Sequence, residues 1–371
     1  MNRHVLLLIQ PAYPERIQGI ARFAKSRGWV LTIVDRLARF PRGWRGDGAL
    51  VTLRGNAETN RFVKGLVRRG VPVVDLTYNH PEIALPRVSG DHAAFGRLAR
   101  DHFEEHNFRN FAWFSTEWSH VHELRYAGFA RMPGSAAPAR WVLSELVDAA
   151  RIDDWRLFLK TIGKRLAAAP KPLAVLTYDD ADAAKVLAAT LAAGLRVPED
   201  VAIMGIGNDR VVCENQTVPL SSVDHDLEAN GYRGAELLER LMDGDIRKTV
   251  TLIPPRGVIV RKSTDTLAAE DPLLAAALRE IDARLATSFG VAEIAAALGV
   301  SRVRLDQLFA EKFTRSVGRE IARQRIARAK KLLAETDKPI KEIAGLCGFC
   351  NAGYFTNAFR VATGKTPKSW R

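Results

Sequence analysis

The stretch that most constrains this chain is Ile340 to Arg371, IKEIAGLCGFCNAGYFTNAFRVATGKTPKSWR. Ile340, Ile343, Ala344 and Cys347 fall at helical spacing, Gly348 interrupts the pattern, and from Asn351 a second apolar face runs through Phe355 and Phe359. Gly348 suits the left-handed backbone that ends a helix, Phe349 is set to pack beneath it, and Asn351 can accept the orphan amide hydrogens of the next helix. The pattern predicts helix, tight turn, helix, a unit whose second helix fits a DNA major groove. Val291 to Phe313 repeats it. Glu293, Ile294 and Ala295 answer Glu342, Ile343 and Ala344; Gly299 answers Gly348; Ser301, Leu305 and Phe309 answer Asn351, Phe355 and Phe359. One such pair fits an ordinary helical hairpin as well as a DNA-binding unit, but two copies joined by one long basic helix point to a double-stranded DNA partner.

The charge agrees with this. The 371 residues carry a net charge of +13, and Pro272 to Arg371 holds 18 Lys and Arg against 9 Asp and Glu, so +9 of the excess travels with the helix pairs. The apolar start, Val5 to Ile9, is too short to span a membrane and lacks a small-residue cleavage site, and no later run reaches the required length. Three cysteines build no disulfide framework, so the expected compartment is the reducing cytoplasm, with no membrane partner.

From about Pro272 to Arg371 the chain resembles the DNA-binding domain of AraC-type transcriptional regulators, most specifically in Gly348-Phe349 through Phe359 to Thr366-Pro367. If Leu305, Leu308, Phe309, Phe355 and Phe359 face the core, two sets of side chains remain for DNA. The first is Arg302, Val303, Arg304, Asp306 and Gln307; the second is Asn351, Ala352, Gly353, Tyr354, Thr356 and Asn357. The resemblance implies base contacts at Val303, Asp306, Gln307, Gly353, Tyr354 and Asn357. Asp306 is unexpected beside phosphates, although a carboxylate can accept from a cytosine amine. Arg315, Arg319, Arg323, Arg325, Arg328, Lys330, Lys331, Lys341 and Lys365 supply positive charge, some of it for phosphates.

The first 262 residues alternate differently. Buried-type strands at Val5–Ile9, Trp29–Val34, Gly48–Leu53, Val71–Leu76, Phe108–Phe114, Leu173–Tyr178 and Val201–Gly205 are separated by amphipathic helices, with Pro133 to Arg140 as a surface connection. Repeated βαβ predicts an α/β fold with parallel sheets in two halves that meet at a cleft. Ligands of such sheets sit beyond the carboxyl ends of the strands, here after Ile9, Phe114, Tyr178 and Gly205.

Those loops carry a second resemblance. Arg125-Tyr126-Ala127-Gly128-Phe129, Tyr178 to Ala183, Val201 to Asn208 and Pro219 to Val223 are similar to the sensor domain of LacI/GalR-type regulators, which has the periplasmic-binding-protein fold. The resemblance implies that Arg125 contacts a ligand hydroxyl, and that Asp179 stands where the family usually has Asn. Gly207 replaces a ligand-binding Asp, so that either Asn208 or Asp209 substitutes or the ligand differs. Tyr13, Arg16 and Trp118 complete the candidate ligand set, with Trp118 favoured because its loop follows a strand end and an indole face suits a sugar ring.

A LacI-like sensor (1–262), a polar linker (263–271) and an AraC-like all-α domain with two helix-turn-helix units (272–371) together resemble a group of sugar-responsive regulators. That resemblance implies a small sugar effector, xylose or a related sugar, a homodimer, and RNA polymerase as a partner if the protein activates. No cofactor or metal is implied. Gly205-Ile206-Gly207-Asn208-Asp209-Arg210 fails as a dinucleotide fingerprint because Arg210 holds the third glycine position. His102-Phe103-Glu104-Glu105-His106 and Cys347-x-x-Cys350 lack further ligands for zinc. Two alternatives stay open: an enzyme acting on a sugar or nucleotide with a nucleic-acid-binding tail, and a DNA-binding protein whose sensor has lost its ligand.

Overall fold

The computed structural model describes residues 2–10, 13–34, 43–53, 57–130, 137–245, 249–265, 271–313 and 316–370. Arg315, residues 133–136 of the surface connection and residues 266–270 of the linker lie outside them. The chain divides into two compact units, Met1–Asp265 and Thr266–Arg371.

In the first unit, β1 (His4–Leu8), β2 (Val30–Ile33), β3 (Gly48–Val51), β4 (Val73–Asp75) and β5 (Arg87–Gly90) form one sheet. Strands β6 (Asn110–Ser115), β7 (Ala139–Val142), β8 (Leu173–Thr177), β9 (Val201–Ile206) and β10 (Ser221–Asp224) form another. Strand β11 (Val250–Ile253) returns to the first sheet beside β5, and β12 (Gly257–Ile259) to the second beside β10. Every pairing is parallel except β10 with β12, which is antiparallel. The helices are α1 (Pro14–Arg27), α2 (Ala57–Arg68), α3 (His92–Glu105), α4 (His120–Ala130), α5 (Leu143–Leu146), α6 (Trp155–Ala168), α7 (Asp180–Ala192), α8 (Arg210–Glu214) and α9 (Leu227–Met242). Helices α1 and α9 pack on the first sheet and α3, α4, α6 and α7 on the second, so the chain crosses between lobes near Gly90, near His225 and between β11 and β12.

The seven strands expected from apolar runs are present as β1 to β4, β6, β8 and β9. The other five are short, β7, β11 and β12 lie at sheet edges, and β5 and β10 are interrupted by polar residues that are buried yet paired. In β5 Arg87 donates to Asp75 at 3.0 Å, and in β10 Ser222 donates to Asp180 at 2.6 Å. Part of the expected surface connection is the edge strand β7, where Trp141 and Val142 are buried. The linker assignment also changes at its start. Ser263 and Thr264 are fully buried in a 3-10 turn; Ser263 Oγ donates to Ile203 O at 2.6 Å and Thr264 Oγ1 to Ser221 Oγ at 2.7 Å, so both belong to the sensor.

Each lobe contains one helix pair in backbone contact through glycines. A Cβ on Gly19 or Gly231 would lie 2.1 Å from a backbone oxygen of the partner helix, so α1 and α9 touch main chain to main chain. Gly96 and Gly128 do the same for α3 and α4, again at 2.1 Å. These two pairs carry the cleft arginines, Arg16 on α1 and Arg125 on α4.

The second unit is helical: α10 (Pro272–Arg284), α11 (Val291–Ala297), α12 (Arg302–Phe313), α13 (Val317–Glu335), α14 (Ile340–Leu346), α15 (Ala352–Thr363) and α16 (Pro367–Trp370). The two expected turns are α11 to α12 and α14 to α15. Gly299 and Gly348 hold φ of 66° and 70°, and the carboxamide oxygen of Asn351 accepts from Tyr354 N at 2.8 Å. Each unit has its own core, around Ile294, Leu305 and Phe309 in one and Ile343, Phe355 and Phe359 in the other.

Candidate sensor cleft and nucleic-acid interface

Residues after the strand ends of both lobes converge on one polar cavity. The first lobe supplies Tyr13, Arg16, Thr77, Asn79 and Ser89; the second supplies His92, Arg125, Tyr178, Asp179 and Gly207; His225 comes from a crossing. A wider groove on α2 is lined by Val63, Val67, Ile83, Leu85 and other residues of the first lobe alone, so no groups converge on it from two sides.

Arg125 is buried and fixed from three directions. Its Nε donates to His92 Nδ1 at 3.1 Å, Nη1 donates to Tyr178 O, and the guanidinium lies 4.5 Å from the Tyr178 ring centroid. Because a guanidinium only donates, His92 Nδ1 must accept, and its Nε2 proton is directed at Ser89 Oγ, 3.1 Å away. His92 is thereby held neutral. Burial first, and then the Arg125 charge, push its pKa well below the usual histidine value. Across the cleft Arg16 is also buried, with Nε on Asn230 Oδ1 at 2.8 Å, and Asn230 in turn donates to Val88 O.

Of the six ligand candidates, Tyr13, Arg16, Arg125 and Asp179 line this cavity, and Asn208 lines an adjoining one shared with Tyr13 and Asp179. Asn208 is tied down at φ 58°, its Oδ1 accepting from Arg261 at 2.9 Å and its backbone N–H donating to Ser222 Oγ at 2.9 Å. Asp209, the other substitute considered, instead caps α8. Trp118 is not brought to the cleft lining. It packs edge-on against Trp113 and Tyr126 beneath the Arg140 guanidinium, which lies 4.5 Å from its ring; of the aromatics that do line the cavity, Tyr178 is stacked on His122 at 3.7 Å and lies under the Arg125 guanidinium. Asn79, Ser89, His92, Tyr178 and His225 were not singled out from sequence. Tyr178 did end an expected strand, but Ser89 and His225 sit at the ends of short strands the apolar pattern does not reveal.

The absence of a carboxylate at 207 has a local cause. Gly207 adopts φ 142°, and a Cβ there would sit 3.0 Å from Asp180 Oδ2. The buried Asp180 carboxylate accepts from Ser222 Oγ at 2.6 Å and from Asp209 N at 2.7 Å, and desolvation raises its pKa to about 6. The native protein therefore holds this proton more tightly than the unfolded chain. The Asp180 contribution is most favourable below the ordinary carboxylate range and is lost as pH rises to about 6. Asp180→Asn should gain stability relative to the parent as pH rises from 3.8 to about 6, by on the order of 3 kcal/mol at most in urea titrations. A parent-to-variant difference constant with pH refutes this.

In the helical unit Arg302, Val303, Arg304 and Gln307 are exposed on α12, and Gly353, Tyr354 and Asn357 on α15, with Asn351 at its cap; Asp306 and Ala352 are half-exposed. Arg302 Nε lies 3.5 Å from Asp306 Oδ2, so the acid that looked out of place has a cationic neighbour on the same helix. Lys365, Arg319, Arg328 and Lys341 are exposed. Arg323 instead pairs with buried Glu320 at 2.8 Å, Arg325 turns inward, and Lys330 lies 4.9 Å from the Trp370 ring, so the phosphate-facing set is smaller than the sequence suggests. The side chain of Lys331 is outside the described residues.

Comparison with known proteins accounts for both units. Residues 100–264 match the periplasmic binding protein-like domain and residues 294–371 a helix-turn-helix domain. A xylose operon regulatory protein of Haemophilus influenzae is 30% identical over 291 residues, covering 77% of this chain and 74% of the relative. The xylose operon regulatory protein of Escherichia coli K12 is 27% identical over 399 residues, covering 100% and 97%. Among solved structures, a xylose-binding transcription activator superposes with a TM-score of 0.64 at 23% identity, covering 100% of this chain and 98% of its own. The lac repressor dimer bound to operator and an anti-inducer gives 0.55 at 19% identity over 72% of this chain and 95% of its own. No described helix is long and apolar enough to cross a membrane. With a two-lobed sensor of this fold and a double helix-turn-helix unit in one chain, the protein belongs to the family of xylose operon regulatory proteins, which are DNA-binding transcription regulators and not enzymes.

Proposed function

We propose that this protein is a cytoplasmic, homodimeric regulator whose sensor binds xylose or a related small sugar and whose α12 and α15 read operator DNA. The observation that carries the effector is the cleft itself, where Arg16, Asn79, Arg125 and Asp179 converge from both lobes together with Tyr13 and Tyr178. Charged and amide groups converging from two sides suit the adjacent hydroxyls of a polyhydroxylated ring, and the relatives named for the xylose operon point to a pentose. Ligand binding across the crossings shifts the sensor toward its closed arrangement and changes operator affinity. As an activator, the protein would act on RNA polymerase. A thermal-shift screen of the full chain over pentoses and hexoses tests this, because a ligand of the native state raises Tm by mass action. A pentose is expected to give the largest rise, and no rise with any sugar refutes the sugar effector.

The DNA surface yields a separate expectation. Gln307→Ala and Asn357→Ala should each relax discrimination at one base pair by about 1–3 kcal/mol, whereas Lys365→Ala should weaken all sequences alike and reduce the salt slope. Fluorescence anisotropy against single-base operator variants at several salt concentrations distinguishes the two patterns. Uniform losses from all three would mean these side chains do not read bases.

A further inference from the structure

Helix α13 changes partners along its length. Ile321 belongs to the core of the first helix-turn-helix unit, whereas Ile326, Ala329 and Leu333 belong to the core of the second. Arg325 sits at this handover. Its Nη2 donates to Thr287 O at 3.1 Å and to Phe289 O at 3.4 Å, both in the segment leading into the first unit. The guanidinium lies 4.8 Å from the Phe289 ring centroid and 5.9 Å from that of Phe349, which opens the second unit. Gly348, at the turn of the second unit, is pressed against the same place: a Cβ there would lie 2.4 Å from Thr287 O, 2.7 Å from Leu285 O and 3.1 Å from Arg325 Nε. The two apolar cores are separate, so a rigid relation between the units depends on α13 and this seam.

We propose that Arg325, set against the Phe289 ring within reach of Phe349 and bonded to the Thr287 and Phe289 carbonyls, is a positioning residue that fixes the separation of the two recognition helices. It touches no base. A planar cation with several donors can lie against an aromatic ring and bond two carbonyls at once, which a lysine or an apolar residue cannot. The spacing between the two DNA contacts is then set inside the domain, and a site with the wrong spacing is rejected even when both half-contacts are correct. This inference rests on α12 and α15 being the DNA-contacting helices.

The test uses the full chain and a DNA site selected by the wild-type protein from a random pool, followed by hydroxyl-radical footprint titrations. Wild type should protect two patches with one common midpoint, and inserting one base pair between them should weaken it by about tenfold, since the insertion rotates and displaces one groove. For Arg325→Leu and the milder Phe289→Leu the two patches should titrate with separate midpoints, and the insertion should cost less than about twofold. Melting by circular dichroism verifies that each variant is folded, and Phe289→Leu decides the matter if Arg325→Leu is not. Simple loss of structure would lower both patches together and leave their common midpoint intact. Two patches with one midpoint and a full insertion penalty in a folded variant would overturn the proposal. A single patch in wild type would instead remove the reading of α12 and α15 on which it rests.

Discussion

Arg125→Ala is expected to abolish or strongly reduce the sugar-induced thermal shift while leaving operator binding without sugar unchanged. The guanidinium lines the cleft from the second lobe, and its orientation is set by His92, by the Tyr178 carbonyl and by the Tyr178 ring. A charge-assisted hydrogen bond to a ligand hydroxyl contributes roughly 1.5–3 kcal/mol, so its removal should lower affinity by about ten- to a hundredfold. The substitution also leaves His92 Nδ1 without the donor it accepts from, which will lower the melting temperature of the ligand-free protein. Paired measurements separate these effects: calorimetry with sugar, anisotropy with operator DNA, and melting without either. DNA binding should survive, because no residue of the Thr266–Arg371 unit has changed. If a sugar binds the variant as tightly as wild type, Arg125 is not a ligand contact.

Gly96→Ala and Gly231→Ala should be strongly disruptive although conservative. In each case the new methyl would meet a backbone oxygen at 2.1 Å, that of Arg125 for Gly96 and that of Arg16 for Gly231. A main-chain neighbour cannot swing aside, so the helices must separate, at a cost of about 1–3 kcal/mol or more. For a domain of this size that lowers Tm by roughly 2–4 °C per kcal/mol. Because the obstructing oxygens belong to the two cleft arginines, sugar affinity should fall as well. Gly65 is the control. It lies inside α2, and a methyl added there would have no neighbour within 4 Å, so Gly65→Ala should be neutral or stabilise by up to about 1 kcal/mol. Equal effects at all three positions would show that the close helix contacts do not control the cleft.

How much of this was legible in the sequence follows from where the information lies. The helix-turn-helix units are local: a left-handed glycine, a capping asparagine and apolar residues at helical spacing occur within about twenty residues, and they reappear at Gly348, Asn351, Phe355 and Phe359 as the pattern requires. The main βαβ strands are likewise local, since continuous apolar runs can be buried on both faces without help from distant residues. Strands β5 and β10 were not legible because Arg87, Ser221 and Ser222 look solvated until their partners Asp75, Arg261 and Asp180 arrive from elsewhere in the chain. The same reason explains Trp118, whose loop follows a strand end although its ring is held by Trp113, Tyr126 and Arg140, and Arg325, whose charge resembles a phosphate contact until Phe289 and Phe349 approach it. The sequence by itself determined which elements form and which residue types stand at their ends, because helix and strand periodicity, capping and turn chemistry act over a few residues. Only the tertiary structure decided which of those side chains point into the cleft and which brace it, because burial and hydrogen bonding between residues far apart in the chain exist only once the fold has brought them together.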